Sequence, residues 1–509
     1  MRVKKFLRSA AFLALASAAA KILGAVHKIP LMGLLGAEGS GLYQLVFPIY
    51  TVVLALAGGG VSQAVSRAAA QEGEGARSSL KAALLLTALT GGAGSAALAL
   101  LCRAIARAQG NPAAASAYLV LAPSVAASCM ASAVCGWWQG RRNMFPTAVG
   151  RLVEQAVKLI AGLSLAAAFL PRGTEYAVTG AIAGVTIGEI ATAFALLAVS
   201  VPTRAKAPPR PLIPLVRGIF RDAAPAALGS LVMPLLQLID SVTIVNLLTA
   251  SGRSPETATA LYGVATAPVG AIAGLPPVLM SACAAALMPK LFGSEEEKRR
   301  AVGSALSAAL VAGLLGSALM LVFAEEVIGV IYPGGLTAEQ FATAAAAMRF
   351  AAPGVTYVCF MSVATTALQA EGRAHVPALV LLVCGAVKAG LTVLLVRTAG
   401  AAGSAAATSA AYCAALCADL IAARGSVAGG MRRKDALVFV AAVMAGCAAG
   451  ALSKLIPAGA LAACFVRGGI AALTVLLVLV AADAYSLNGR IAEKIKLFRA
   501  GFAKKTKKH

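Results

Sequence analysis

The chain has 509 residues, of which 60% are hydrophobic and only 13% charged, with a formal net charge of +24. A soluble protein carries about 25% charged residues, so a single water-exposed globule is excluded. The cations sit in short segments between long apolar ones, which assigns them to membrane orientation rather than to nucleic acid.

Apolar stretches recur near 9–34, 42–67, 79–102, 113–138, 146–170, 176–200, 222–250, 258–289, 301–323, 341–369, 376–396, 400–423, 436–455 and 459–484. Each is long enough to cross a bilayer, which predicts an all-α polytopic membrane protein of about fourteen helices. The N-terminal MRVKKFLRSAAFLALASAAAK has the basic start and apolar run of a signal peptide. The run resumes after Lys21 and reaches Leu35, so it reads instead as one interrupted first span. Ten cysteines are scattered through the chain without a CxxC or a Cys/His cluster, so no metal, cofactor or disulfide is expected.

The first two spans carry the strongest signal. Lys21, His27 and Lys28 lie inside the first, a Gly-rich turn with Glu38 follows at 35–41, and the second contains Pro48 and the run Gly58, Gly59, Gly60. A cation at membrane depth costs roughly 3 kcal/mol on insertion scales and persists where it faces a cavity, a partner or an anion. Helix-weakening Pro and Gly are tolerated there only where backbone lines a cavity or packs on protein. Together they predict a polar cavity for something negative. Lys21 and Lys28 share one helix face, with His27 one residue off it. Lys28 either lines the cavity or snorkels outward, and His27 is either a ligand or a hydrogen-bonded core residue.

Later spans add further polar residues. Glu154 and Lys158 form an i, i+4 pair in the favoured order, so Lys158 is expected to be largely neutralised. Lys388 has Cys384 in place of that acid, which makes it the better ligand candidate. Arg349 falls at the cavity or at the outer interface. Asp240 and Glu189 are lone acids that bind a coupling cation or proton, or pair with a lysine. Arg467 is expected at headgroups, and the basic tail 490–509 on anionic lipid.

With a cytoplasmic N-terminus, most of the 44 Lys and Arg fall on inner segments, while the outer loops hold only Arg103, Arg107, Arg172, Arg253, Arg397 and Lys454. The Pro-rich basic stretch 201–221 reads as a linker. The segments around it echo each other. Leu42-Tyr43 before Pro48 matches Leu261-Tyr262 before Pro268, and Ala156-Val157-Lys158 matches Ala386-Val387-Lys388. The expected organisation is a lobe over 1–200, the linker, a lobe over 222–424, two further helices over 425–486 and a cytoplasmic tail over 487–509. A parallel repeat of six helices marks a transporter with its site between the halves. Pro48, Gly58 to Gly60, Pro268, Pro276 and Pro277 are its expected bending points.

Lys21-Ile-Leu-Gly24, Leu35-Gly36-Ala37-Glu38-Gly39, Gly41-Leu-Tyr-Gln44, Phe47-Pro48-Ile49-Tyr50 and Gly60-Val-Ser-Gln-Ala64 resemble the lipid II flippase and stage V sporulation protein B family. So do Leu238-Ile239-Asp240-Ser241, Leu261-Tyr262-Gly263, Leu275-Pro276-Pro277, Leu368-Gln369-Ala370 and Lys388. That family belongs to the multidrug, oligosaccharidyl-lipid and polysaccharide exporter superfamily. The resemblance implies two six-helix lobes around a central cavity, plus two helices forming a lipid groove. It implies alternating-access export of a polyprenyl-diphosphate-linked oligosaccharide across the bacterial plasma membrane, driven by membrane potential, H+ or Na+. Lys21 and Lys388 are then expected to hold the diphosphate from opposite lobes. Flippases of the lipid II type carry arginines where this chain has Lys21 and His27, and also in stretches matching 49–56 and 262–269, where this chain has none. The sporulation-type branch fits better. Two rivals remain. A multidrug and cation antiporter calls for acids and aromatics, yet aromatics are 5% of the chain. A membrane glycosyltransferase calls for an extramembrane catalytic region, yet the longest outer loop, 324–340, has no DxD.

Overall fold

The computed structural model describes residues 2–72, 77–200, 210–373 and 375–424, with isolated positions between 441 and 474. The spans expected at 436–455 and 459–484, Arg467 and the basic tail lie outside the described residues. The twelve other expected spans all fall on helix, and the described residues contain no strand. Stretches long and apolar enough to cross a membrane recur throughout, two of them, 22–71 and 375–422, at double length. The chain is a multi-pass membrane protein.

Helix α1 (Arg2–Gly58) runs through both of the first two expected spans. The turn expected at 35–41 shrinks to one residue, Gly36, at φ 68° and ψ −167°. Glycine adopts that conformation without the Cβ penalty other residues meet. Pro48 stays within the helix although it cannot donate to the Gln44 carbonyl. The second expected break does form. Gly60 sits at φ 74°, and a Cβ there would lie 2.6 Å from Ala223 O. Beyond it α2 (Val61–Glu72) begins as a separate helix.

The next four helices, α3 (Ser78–Ala108), α4 (Ala114–Gly140), α5 (Phe145–Phe169) and α6 (Thr174–Ser200), pack on one another and on α1 and α2. Helix α7 (Leu212–Ala250) begins well before residue 222, so the second part of the expected linker is helical; 201–209 are outside the described residues. Helices α8 (Pro255–Ala273) and α9 (Leu275–Leu287) divide the single span expected at 258–289. The break at Gly274 has a cause in sequence: Pro276 and Pro277 offer no N–H to the carbonyls four residues back. The remainder are α10 (Glu295–Val322), the short α11 (Ala324–Ile331), α12 (Ala338–Ala370), α13 (His375–Ala399) and α14 (Gly403–Ala422). Ser254, Ser294 and Thr337 cap α8, α10 and α12, and Gln340 completes a capping box.

Helices α10, α12, α13 and α14 form a second packed group, and α7 and α8 cross from it to α1. The two faces of α1 lie in two cores. Leu31, Leu42 and Val46 pack with α3, α4 and α6, whereas Met32 and Leu45 pack with α7, α8 and α12. Gly41 and Gly263 bring α1 and α8 together backbone to backbone: a Cβ on Gly263 would lie 2.4 Å from Gly41 N.

Candidate functional site

A cavity of about 340 Å³ opens where α1, α5, α8 and α9 meet. Its lining divides by charge. From α1 and α5 come His27, Lys28, Gln155 and Lys158, with Tyr43 and Phe47 on the far side of the Gly36 kink. From α8 and α9 come only Gly270, Ala271, Gly274, Leu275 and Val278. The kink and the glycines are what make the space. Tyr43 and Phe47 make a tilted ring contact, with centroids 4.8 Å apart and planes at 56°, and form one aromatic edge of the cavity. Gly162 of α5 lies beside the His27 ring: a Cβ there would sit in ordinary contact, 3.5 Å from Nε2.

Neither Lys28 nor Lys158 has a carboxylate within 4.0 Å among the described residues. His27 is 4% exposed, and its Nε2 has no hydrogen-bond partner. The expected Glu154–Lys158 pair does not form. Glu154 turns instead to Arg151 at 4.0 Å and accepts a bond of 2.9 Å from Gln155 Nε2. Apart from Tyr43, the ionisable side chains that line this recess are therefore all basic: two lysines without an ion pair among the described residues and an imidazole whose Nε2 is unpartnered.

Lys388 is elsewhere. It sits on α13 in a smaller recess with Met233, Leu236, Gln237 and Tyr412. Its Nζ donates to Asp240 Oδ2 of α7 at 2.5 Å, with the lysine side chain 8% exposed. The expectation that Lys388 lacks an acid is therefore corrected: the partner comes from a neighbouring helix, not from its own preceding turn. The same pair occupies Asp240. Arg349, well inside α12, pairs with Glu325 in the first turn of α11 at an exposed position, and it is not among the residues lining the cavity. Lys21 lies on α1, but its side chain is outside the described residues. Glu189 is buried on α6 behind Lys158. Pro48, Gly58 to Gly60, Pro268, Pro276 and Pro277 all fall in or beside the helices that border the cavity.

Both ends of the seam between the halves are held. At one, Gln109 Nε2 donates to Leu45 O at 3.0 Å and to Ser241 Oγ at 3.1 Å, and Tyr118 OH donates to Leu45 O at 3.0 Å. There too Asn111 Nδ2 donates to Thr259 Oγ1 at 2.8 Å. At the other, Gly59 and Gly60 lie on Ala223, Ala226 and Ala227 of α7, and Arg67 pairs with Asp222.

The sequence reading missed Gln155, Tyr43, Phe47, Gly270 and Gly274, which become neighbours only through the fold. It also missed Asp419 of α14, which is fully buried with both carboxylate oxygens unpartnered among the described residues. An acid in an apolar span was the available signal.

Residues 6–294 match the family model described as polysaccharide biosynthesis protein. Stage V sporulation protein B of Bacillus subtilis (strain 168) is 23% identical over 413 residues, covering 78% of each chain. The uncharacterized membrane protein YabM of the same organism is 24% identical over 407 residues, 77% of this chain and 75% of that one. Among solved structures, the lipid II flippase MurJ in its inward closed conformation superposes with a TM-score of 0.75 at 14% identity, covering 94% of this chain and 99% of the other. An inward-facing multidrug resistance MATE family transporter gives a TM-score of 0.65 at 17% identity, covering 82% and 98%. At these identities the structures share the fold.

Proposed function

This chain belongs to the polysaccharide biosynthesis protein family, and on that premise we propose that it is a flippase for an anionic lipid-linked oligosaccharide. The substrate class is a polyprenyl-diphosphate sugar, carried from the inner to the outer leaflet of the bacterial plasma membrane. The observation that carries the reading is the charge of the central cavity. Two lysines without acids are costly at that depth, and a diphosphate supplies the missing negative charge. Lysine serves here as a point charge for phosphate.

Lys28 and Lys158 hold the diphosphate, His27 and Gln155 lie within the same wall, and Tyr43 and Phe47 offer an aromatic face to the first sugar. The small-residue wall of α8 and α9 leaves the glycan room. Alternating access runs through the two packed groups moving against each other, with the breaks at Gly58 to Gly60 and at Gly274 to Pro277 as hinges. Membrane potential supplies drive, since the cargo carries net negative charge outward.

A cation antiporter with this fold would not keep two unpaired lysines in its cavity, because they repel the cargo. The two readings separate in proteoliposomes. A fluorescent polyprenyl-diphosphate disaccharide should become accessible to an impermeant reductant only when the protein is present, and ethidium should not be moved. Ethidium transport without lipid movement would overturn the flippase reading.

A further inference from the structure

Lys158 of α5 lines the cavity, and its Cβ also lies against Gly188 of α6, next to Glu189. Glu189 is only 9% exposed. The groups facing Glu189 are Glu154, Lys158 and Arg151 of α5, Ser128 and Cys129 of α4, and Tyr50 of α1. The helices are tightly apposed there: a Cβ on Gly188 would lie 3.0 Å from Glu154 O and 3.4 Å from Lys158 Cβ. Glu154 has Arg151 and Gln155 as partners. Glu189 has no ion pair within 4.0 Å among the described residues. Buried charges are ordinarily paired, because an isolated one is very costly. Of the two cations around Glu189, Arg151 is engaged by Glu154, whereas Lys158 has no ion pair among the described residues and lines the cavity.

Building on the anionic-cavity reading, we propose that Glu189 is the alternative counter-anion of Lys158, exchanged for the substrate diphosphate when cargo binds and competing it off again at release. One ammonium cannot neutralise both carboxylate and diphosphate at close range, so the two anions are alternative partners. By turning from the cavity to Glu189 at release, Lys158 exchanges one anion for another, so the loaded site does not hold its cargo irreversibly. Lys28 provides the anchoring charge that Glu189 does not contest.

The test uses full-length protein in nanodiscs, with farnesyl diphosphate as the probe and both affinity and dissociation rate measured. Glu189→Gln removes the competitor, so it should tighten binding by about 5- to 50-fold, within the usual range of site–site coupling, and slow dissociation. A residue with a merely structural role would weaken binding when replaced. In a Lys158→Met background the Glu189→Gln effect should vanish, because the contested charge is gone. Should Glu189→Gln fail to fold, Glu189→Asp retracts the carboxylate by one methylene and should still tighten binding. Parent-like or weaker affinity in the folded variant overturns the inference while leaving the flippase reading intact, provided the parent binds the probe and Lys158→Met weakens it. A folded parent that does not bind the probe overturns both.

Discussion

Lys158 and Lys388 occupy matching places in the two halves, each directly after Ala-Val, and they meet opposite fates. Lys388 is clamped to Asp240 at 2.5 Å, inside a recess of the second half. Lys158 opens into the central cavity without an acid partner. Helix α7 brings Asp240 to Lys388, whereas no described acid comes within 4.0 Å of Lys158. The spacing that aligns Tyr43 with Tyr262 also aligns Lys21 with Asp240. A position that is acidic in the second half is basic in the first. One repeated motif thus serves as a structural tie in one half and as an open charge in the other.

The largest effect should come from breaking the tie. Asp240→Ala strands a buried ammonium, and removing one member of a buried pair typically costs about 3–5 kcal/mol. The variant should lose thermal stability in detergent while its folded fraction binds farnesyl diphosphate like the parent. Replacing both partners, as Asp240→Leu with Lys388→Met, should recover most of that stability, since an apolar pair of similar volume is often neutral or better. A double variant as unstable as the single one would show that the recess needs its charges.

The open lysines should behave in the reverse way. Lys28→Met and Lys158→Met should each weaken probe binding by about 5- to 150-fold, corresponding to roughly 1–3 kcal/mol for a charge-assisted contact. Neither should reduce thermal stability, because neither lysine holds an ion pair within 4.0 Å among the described residues and both line the cavity. Equal losses of stability and binding would make these lysines structural.

Arg349→Ala should give the smallest response. Its pair with Glu325 has side chains 43% and 47% exposed, and surface pairs contribute about 0–1 kcal/mol. A melting curve within error of the parent and unchanged probe affinity are expected. A binding defect would return Arg349 to the cavity.

Helix positions were readable from apolar run lengths because every span must satisfy its backbone internally at bilayer depth. The polar partners were less readable. The i, i+4 rule paired Glu154 with Lys158, yet Glu154 found Arg151 and Gln155, and the acid for Lys388 came from another helix. Local spacing describes one helix surface, whereas a buried ammonium takes whichever carboxylate the packing brings near. Neither Gly270 nor Gly274 had a sequence signal as a cavity wall, because that role depends on α8 and α9 meeting α1. His27 and Lys28 were legible as cations out of place, and both line the cavity.

Assignment of the anion to the first half is tested most directly by one titration series. Farnesyl diphosphate affinity is measured for Lys158→Met and for the double variant Asp240→Leu/Lys388→Met, both in nanodiscs and both verified as folded. The expected result is a loss of at least about fivefold in the first and parent affinity in the second. Parent affinity in Lys158→Met together with lost binding in the double variant would place the anion at Lys388 and contradict the assignment.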